Sequence, residues 1–464
     1  MADKATEHGQ ELHLLKSSRT RLYQEQDEDS IRDLSAKGEG LSVIQTVLSL
    51  SACTCGYGSM VTSVLVVSTG WLGLVTGGLV YSAVVFTMVL LARCWNMVRE
   101  KYPTERHPYG AISSEALGSR AGTVVNILLV CVCFLSGAAI PLAGSELIML
   151  LGVPVLRGYF CYFPVAIGIV ACLLTILKTP KNIWLVSLLS FSCNIAAATV
   201  VLFGMILSND GESSSATNDD TPDDETPLLH LAEIIGVLIY ITGVHYILPT
   251  IQQDMKEPSD AGKVVIISAC VNTVAFLPII ITVFIIYGST RSATGNASAL
   301  TLLPDGAFKT IGSSLIMVHL IQVILLCNNP LYQFLEEKLD IPSGDFSWKR
   351  LVLRPLVILL QIFLLETVPQ VNLYFAIVGG CFLPSVGLFL PALCYTRLKR
   401  IQLQENGISK TPKLFLLETF VCWLIMGLTP LIMATVLYVT VSEMVAGRTV
   451  FTVPCYVNAT LAHP

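Results

Sequence analysis

Residues Leu41 to Gly70 read LSVIQTVLSLSACTCGYGSMVTSVLVVSTG, a run apolar and long enough to cross a bilayer, since about 20 apolar residues suffice. In its middle stand Gly56, Tyr57, Gly58 and Ser59. Glycine inside a helix costs about 1 kcal/mol relative to alanine, and a helix broken at mid-membrane leaves N–H and C=O groups without partners. Such groups are tolerated where they line a cavity or bind something. A second apolar stretch, Leu231 to Met255, carries a matching flaw at Tyr240-Ile241-Thr242-Gly243-Val244-His245, with Pro249 just beyond. Paired interruptions in corresponding positions of two halves are the sequence pointer to a transporter's binding site.

The whole chain fits this reading. Its 464 residues are 53% hydrophobic and 13% charged, with a mean hydropathy of +0.69, a balance foreign to soluble domains. Eleven apolar spans are predicted, over 41–69, 71–95, 123–151, 161–177, 182–207, 231–255, 262–288, 309–329, 351–368, 371–396 and 414–443. Residues 1–40 are polar, without apolar periodicity or a cleavable signal, and are expected to form a disordered cytoplasmic tail. Residues 41–443 form the membrane domain, and 444–464 a short tail on the opposite side.

Basic residues orient the chain. Only Arg157, Arg291, Lys309 and Arg448 fall on one side; the other 24 of the 28 Lys+Arg fall on the other. The positive-inside rule then places the N-terminus inside and the C-terminus outside. The sequons at Asn296 and Asn458 both fall outside, where glycosylation occurs. The cysteines inside the spans read as small hydrophobes, and none has the spacing of a zinc site. No Walker A, GxSxG or HExxH motif is present, so ATP-driven transport and hydrolysis lack support.

Several segments resemble the amino acid/auxin permease family. Gly56 through Met60, leading to Gly70-Trp71, is similar to its first-helix motif. Leu248-Pro249-Thr250-Ile251-Gln252-Gln253-Asp254-Met255-Lys256-Glu257-Pro258 is similar to its sixth-helix exit. Tyr109-Gly110-Ala111-Ile112 through Gly118, Asn329-Pro330 and Val378-Gly379-Gly380 fit its inner loop and later helices. The likeness spans about 41–440 and leans toward the vesicular inhibitory amino acid transporter branch. It implies an all-α fold of the leucine-transporter type, eleven transmembrane helices in a 5+5 inverted repeat plus one. Ser63 stands where the family usually has proline, so the glycines must break the first helix unaided.

The expected ligand is a small zwitterion: a neutral amino acid, glycine or GABA. The amides of Gly56, Tyr57, Gly58 and Ser59, at the positive end of a half-helix, would cradle its carboxylate. Carbonyls around Tyr240, Ile241, Thr242 and Gly243 would meet its ammonium. The plainer reading of these glycines is close helix packing. His245 and His319 lie midway through their spans, where an ionisable residue is a functional candidate and histidine titrates near neutrality. Either is a proton-coupling candidate, or a neutral histidine bonded in the core, the reading favoured for His319. Glu146, Glu366 and Glu418 read as interfacial carboxylates reaching water. The end of span eight, Leu325 to Asn329, offers a sodium ion only Asn amide oxygens. Protons are therefore the expected coupling ion, with sodium left open and no other cofactor expected. The bilayer and the amino acid are the expected partners; nothing points to nucleic acid, an enzyme activity, or a particular oligomeric state. The membrane would be that of an intracellular vesicle, synaptic-like or lysosomal, or the plasma membrane. A membrane sensor that binds an amino acid with little flux is the alternative; a channel lacks a filter or charge ring.

Overall fold

The interrupted first span organises the architecture of the computed structural model, which describes residues 40–54, 56–103, 105–153, 159–175, 183–208, 227–287, 298–341, 347–367, 374, 377–407, 412–445 and 454–457. The tail before residue 40, most of loop 208–230, and both predicted glycosylation sites lie outside these residues.

Helix α1 (Val43–Thr54) and helix α2 (Tyr57–Ser68) meet at a 51° bend. Gly56 turns the chain there at φ +99°, a conformation that L side chains adopt only under strain. Ser63 lies buried within α2 and its hydroxyl donates to the Met60 carbonyl at 2.8 Å, so α2 runs through the position where a proline was expected. The break belongs to glycine alone.

The chain continues through α3 (Trp71–Val98), a short helix α4 (Pro108–Leu117), α5 (Ser119–Met149), α6 (Phe163–Thr175) and α7 (Ile183–Leu207). The sixth span comprises α8 (Pro227–Thr242), a 3-10 turn at Val244–Tyr246 and α9 (Leu248–Gln253). Then follow α10 (Ala261–Tyr287), α11 (Ala307–Lys338) and α12 (Trp348–Thr367). Two π-helical segments, Val378–Phe382 and Ser385–Phe389, lead into α13 (Leu390–Glu405), and α14 (Lys413–Val445) is last.

Among the described residues each of the eleven predicted spans falls on helix, but the lengths are uneven. Eight helices are long and apolar enough to cross a membrane, nine if the bent α1–α2 pair counts as one span. The fourth predicted span is a short apolar helix, Tyr159–Leu174, and α12 begins with Lys349, Arg350 and Arg354 among its first turns.

The pairing of helices respects an exchange of two halves. Helix α1 packs on α7 as α8 packs on the first π segment, and α1 on α10 as α8 on α3, while α5–α11, α6–α12 and α3–α10 pair across the halves. Large apolar side chains such as Trp71, Val274, Phe420 and Tyr438 remain exposed on the outside, where lipid rather than water would cover them. At one end, Leu41 exchanges backbone hydrogen bonds with Asp254 (2.7 Å) and Lys256 (2.9 Å), so the first and sixth spans are clasped side by side.

Candidate functional site

The two interruptions face each other. A Cβ placed on Gly58 would lie 2.3 Å from the Ile241 side chain, so only glycine lets α2 approach α8 this closely. The interruptions differ in depth. The first is a sharp bend, whereas the second is a local slackening: the stretch Ile234–Gln253 remains one continuous span, with Gly243 at φ −86° handing over to the 3-10 turn.

Between them lies a cavity of about 70 Å³, walled on one side by Cys53, Tyr57 and Gly58 and on the other by Tyr240, Ile241 and Val244. Helix α5 closes it with Ala139, Ile140 and Ala143, and α11 with His319, Leu320, Val323 and Cys327. At the ~10–15 Å³ each water requires, the space holds about five waters. Among these lining residues none is a lysine, arginine or carboxylate.

Five of the predicted residues therefore line the cavity: Tyr57, Gly58, Tyr240, Ile241 and His319. Gly56 lies just behind it, where an added Cβ would come within 2.3 Å of His319 Nε2 and 2.8 Å of Asn194 Oδ1. Ser59 is half-buried and, with Thr242 and Gly243, is set back from the lining. The Thr242 hydroxyl donates to Leu238 O at 2.7 Å within its own helix. The Tyr240 hydroxyl reaches Ser136 O on α5 at 3.1 Å, tying the sixth span to the third.

The two histidines occupy different surroundings. His319 Nδ1 lies 3.0 Å from Asn194 Nδ2 and 2.9 Å from Ser190 Oγ, both on α7. With the Asn194 amide assigned as donor, Nδ1 is the acceptor and Nε2 carries the ring hydrogen, facing Gly56. The single Ser190 hydroxyl hydrogen is shared between His319 Nδ1 and Gln322 Oε1 (3.0 Å), and Gln322, one turn along α11, donates to Ser187 (3.2 Å). His245 lies off the cavity. It is fully buried, with Nε2 3.0 Å from the Thr87 hydroxyl on α3 and its ring against Gly387 of the second π segment.

Two of the carboxylates depart from the interfacial reading. Glu146 turns inward, its carboxylate accepting the Tyr57 hydroxyl at the edge of the cavity. Glu366 is buried, and its backbone carbonyl accepts from Cys455 N–H at 3.0 Å. A disulfide between Cys161 and Cys455, 294 residues apart, folds the C-terminal segment over that position. Neither contact has a sequence-local cause. Glu418 binds Arg93 at 2.8 Å and Tyr395 at 2.5 Å, as a carboxylate at a helix end does. Asn328 is paired with Gln361 through both amide groups, at 2.7 and 3.3 Å, so its oxygen is already engaged by protein. Sequence reading missed Asn194, Ser190 and Gln322, although polar residues in apolar spans are themselves a signal. For Cys53, Val244 and Cys327 no such signal exists.

The comparisons with known proteins bear on the family and the fold. Residues 39–441 match the family model described as transmembrane amino acid transporter protein. Amino acid transporter AVT1E of Arabidopsis thaliana is 24% identical over 369 residues, covering 79% of this chain and 68% of the relative. Amino acid transporter AVT1D of the same plant is 25% identical over 397 residues, covering 82% and 68%. Among solved structures, a Na+-coupled sialic acid symporter superposes with a TM-score of 0.53 at 12% identity, covering 88% of this chain and 90% of that one. MhsT in complex with L-phenylalanine superposes with a TM-score of 0.52 at 14% identity, covering 86% and 98%. At such identities the superpositions speak for the fold, that of the leucine-transporter type. With the family model covering nearly the whole helical part, the chain belongs to the transmembrane amino acid transporter family.

Proposed function

We propose that this protein is a secondary active transporter of a small zwitterionic amino acid, of the neutral, glycine or GABA class, coupled to protons and working by alternating access around its interrupted first and sixth spans. One observation carries the reading: both interruptions open onto one small cavity whose lining has no full charge. A zwitterion needs two opposite partial charges close together, and the broken spans supply them from backbone. The amides that open α2, with the Nε2–H of His319 beside Gly56, face the carboxylate. The carbonyls of Tyr240, Ile241, Thr242 and Gly243 face the ammonium. Of the two histidines, the cavity position of His319 makes it the stronger candidate for proton coupling, and His245 the weaker. The engaged Asn328 amide supports protons over sodium.

The remaining topology belongs to the same proposal: eleven spans, N-terminus cytoplasmic over residues 1–40, membrane domain 41–443, and residues 444–464 on the far side with Asn296 and Asn458 glycosylated. The Cys161–Cys455 disulfide supports it, because both cysteines fall on the predicted outer or luminal side, where disulfides persist. A vesicular, lysosomal or plasma membrane suits this arrangement.

The test is uptake of labelled glycine, GABA and alanine by the purified protein in proteoliposomes with an imposed pH gradient. Accumulation that collapses with a protonophore is the expected result. Binding without flux would make the protein a sensor, and gradient-independent uptake would remove proton coupling.

A further inference from the structure

The geometry points to Glu146 as the group that holds the coupled proton and passes its state to the first-span break through Tyr57. This rests on the proton-coupled reading above and assigns it a carboxyl.

Glu146 stands on α5 one turn beyond Ala143, which lines the cavity. Its carboxylate accepts the hydroxyl of Tyr57. Tyr57 is the first residue of α2, is buried, and lines the cavity. The charge around Glu146 is sparse. Of the elements packed against the outer half of α5, helix α11 brings His319 toward the cavity and Lys309 at its outer end, the latter paired with Asp305 at 2.9 Å. Helix α6 brings Cys172, α12 brings Glu366, and the sixth span brings Tyr240 and Tyr246. Among the described residues no lysine or arginine is paired with Glu146.

Glu146 is only partly exposed, and a carboxylate in such a setting without a cation is costly, more than one phenol offsets. Two states resolve the cost. Protonated, the group is neutral and its bond to Tyr57 is an ordinary one. Ionised, it needs access to water and holds the phenol by a charge-assisted bond, roughly twice as strong. Proton binding therefore loosens the tie between α5 and α2, and proton loss tightens it. A proton taken from the acidic side onto the Glu146 carboxyl and released to water on the other side balances the step, with no other bond made or broken. The residue that reads the proton is the one that opens the half-helix facing the substrate carboxylate, so occupancy and protonation act on one hinge.

The test uses the full chain in proteoliposomes with labelled glycine and labelled GABA, and two assays: accumulation driven by a pH gradient, and exchange of labelled for unlabelled amino acid without a gradient. Glu146→Gln is expected to exchange within about twofold of wild type while driven accumulation falls roughly tenfold or more, because an amide cannot take up and release the proton. Glu146→Asp keeps a titratable group at shorter reach and is expected to restore accumulation with a displaced pH midpoint. Accumulation by Glu146→Gln with the wild-type pH profile overturns the assignment, and so does loss of exchange in a folded, monodisperse variant. Should Glu146→Gln not fold, Glu146→Asp decides alone: an unmoved midpoint overturns it. Wild-type protein that exchanges without accumulating under the gradient would instead sink the proton-coupled reading, and this assignment with it.

Discussion

Two buried histidines sit midway along apolar spans, yet the fold gives them different neighbours. His319 faces the cavity, held by Asn194 and Ser190 from α7 and pressed against Gly56. His245 is wedged between Thr87 of α3 and Gly387 of the second π segment, away from the cavity. Depth in the membrane is thus a poor guide to a histidine's surroundings. A ring that touches both the hollow and the helix break can register a ligand, whereas one filling a seam between helices registers packing.

The largest test of that contrast is Gly56→Ala. The new side chain would meet a positive φ and stand 2.3 Å from His319 Nε2, on a ring that hydrogen bonds hold in place. Transport should vanish and stability fall by about 3 kcal/mol or more, read by uptake and thermal melting. Near-normal uptake would mean that the ring yields freely, and the constraint would disappear.

Next, His319→Gln should reduce uptake roughly tenfold by misplacing a donor beside the cavity. His245→Gln should leave uptake near normal and lose about 1 kcal/mol of stability from an imperfect replacement of the Thr87 contact. Equal effects of the two on uptake would erase the distinction. Gly387→Ala probes the seam itself, since its Cβ would lie 3.1 Å from His245 Nδ1. It should cost about 1 kcal/mol in a melt and spare uptake; a large uptake defect would return His245 to the mechanism.

The smallest expected effect concerns a histidine outside the spans. His107, just before α4, lies 2.7 Å from Glu337 without the alignment of a hydrogen bond. Burial holds its imidazole below the usual histidine range, only partly opposed by the Glu337 carboxylate. The unfolded chain therefore binds more protons there than the folded one, so folded stability should fall slightly as pH drops through the usual range near about 6.5. His107→Gln should flatten that slope in pH-dependent melts, and a stability gain of the wild type over this window would reverse the sign.

The two interruptions were legible because broken spans announce themselves. Gly56, Gly58 and Gly243 interrupt otherwise unbroken apolar runs, where glycine weakens a helix and so marks the place it gives way. Both runs do meet at Gly58 and Ile241. Other parts were not legible. Glu146 and Glu366 lie near predicted span ends, where a carboxylate usually reaches water, and only folding brings Tyr57 onto one and the disulfide-linked C-terminal segment onto the other. The lining contributed by Ala139, Ile140 and Ala143 has no pattern distinguishing it from any helix seam. Ser63 shows the opposite error, a departure from the family that the helix absorbs without consequence for the bend.

By itself the sequence determined the membrane class, the helical fold and the two positions where helix gives way. These follow from the apolarity, length and glycine content of single segments, properties that act over one span at a time. Only the tertiary structure decided which histidine faces the hollow, which carboxylate turns inward, and how sharply each interruption bends. Those outcomes depend on which helices become neighbours, and contacts between residues remote in sequence leave no mark on the local pattern that hydropathy and propensity can read.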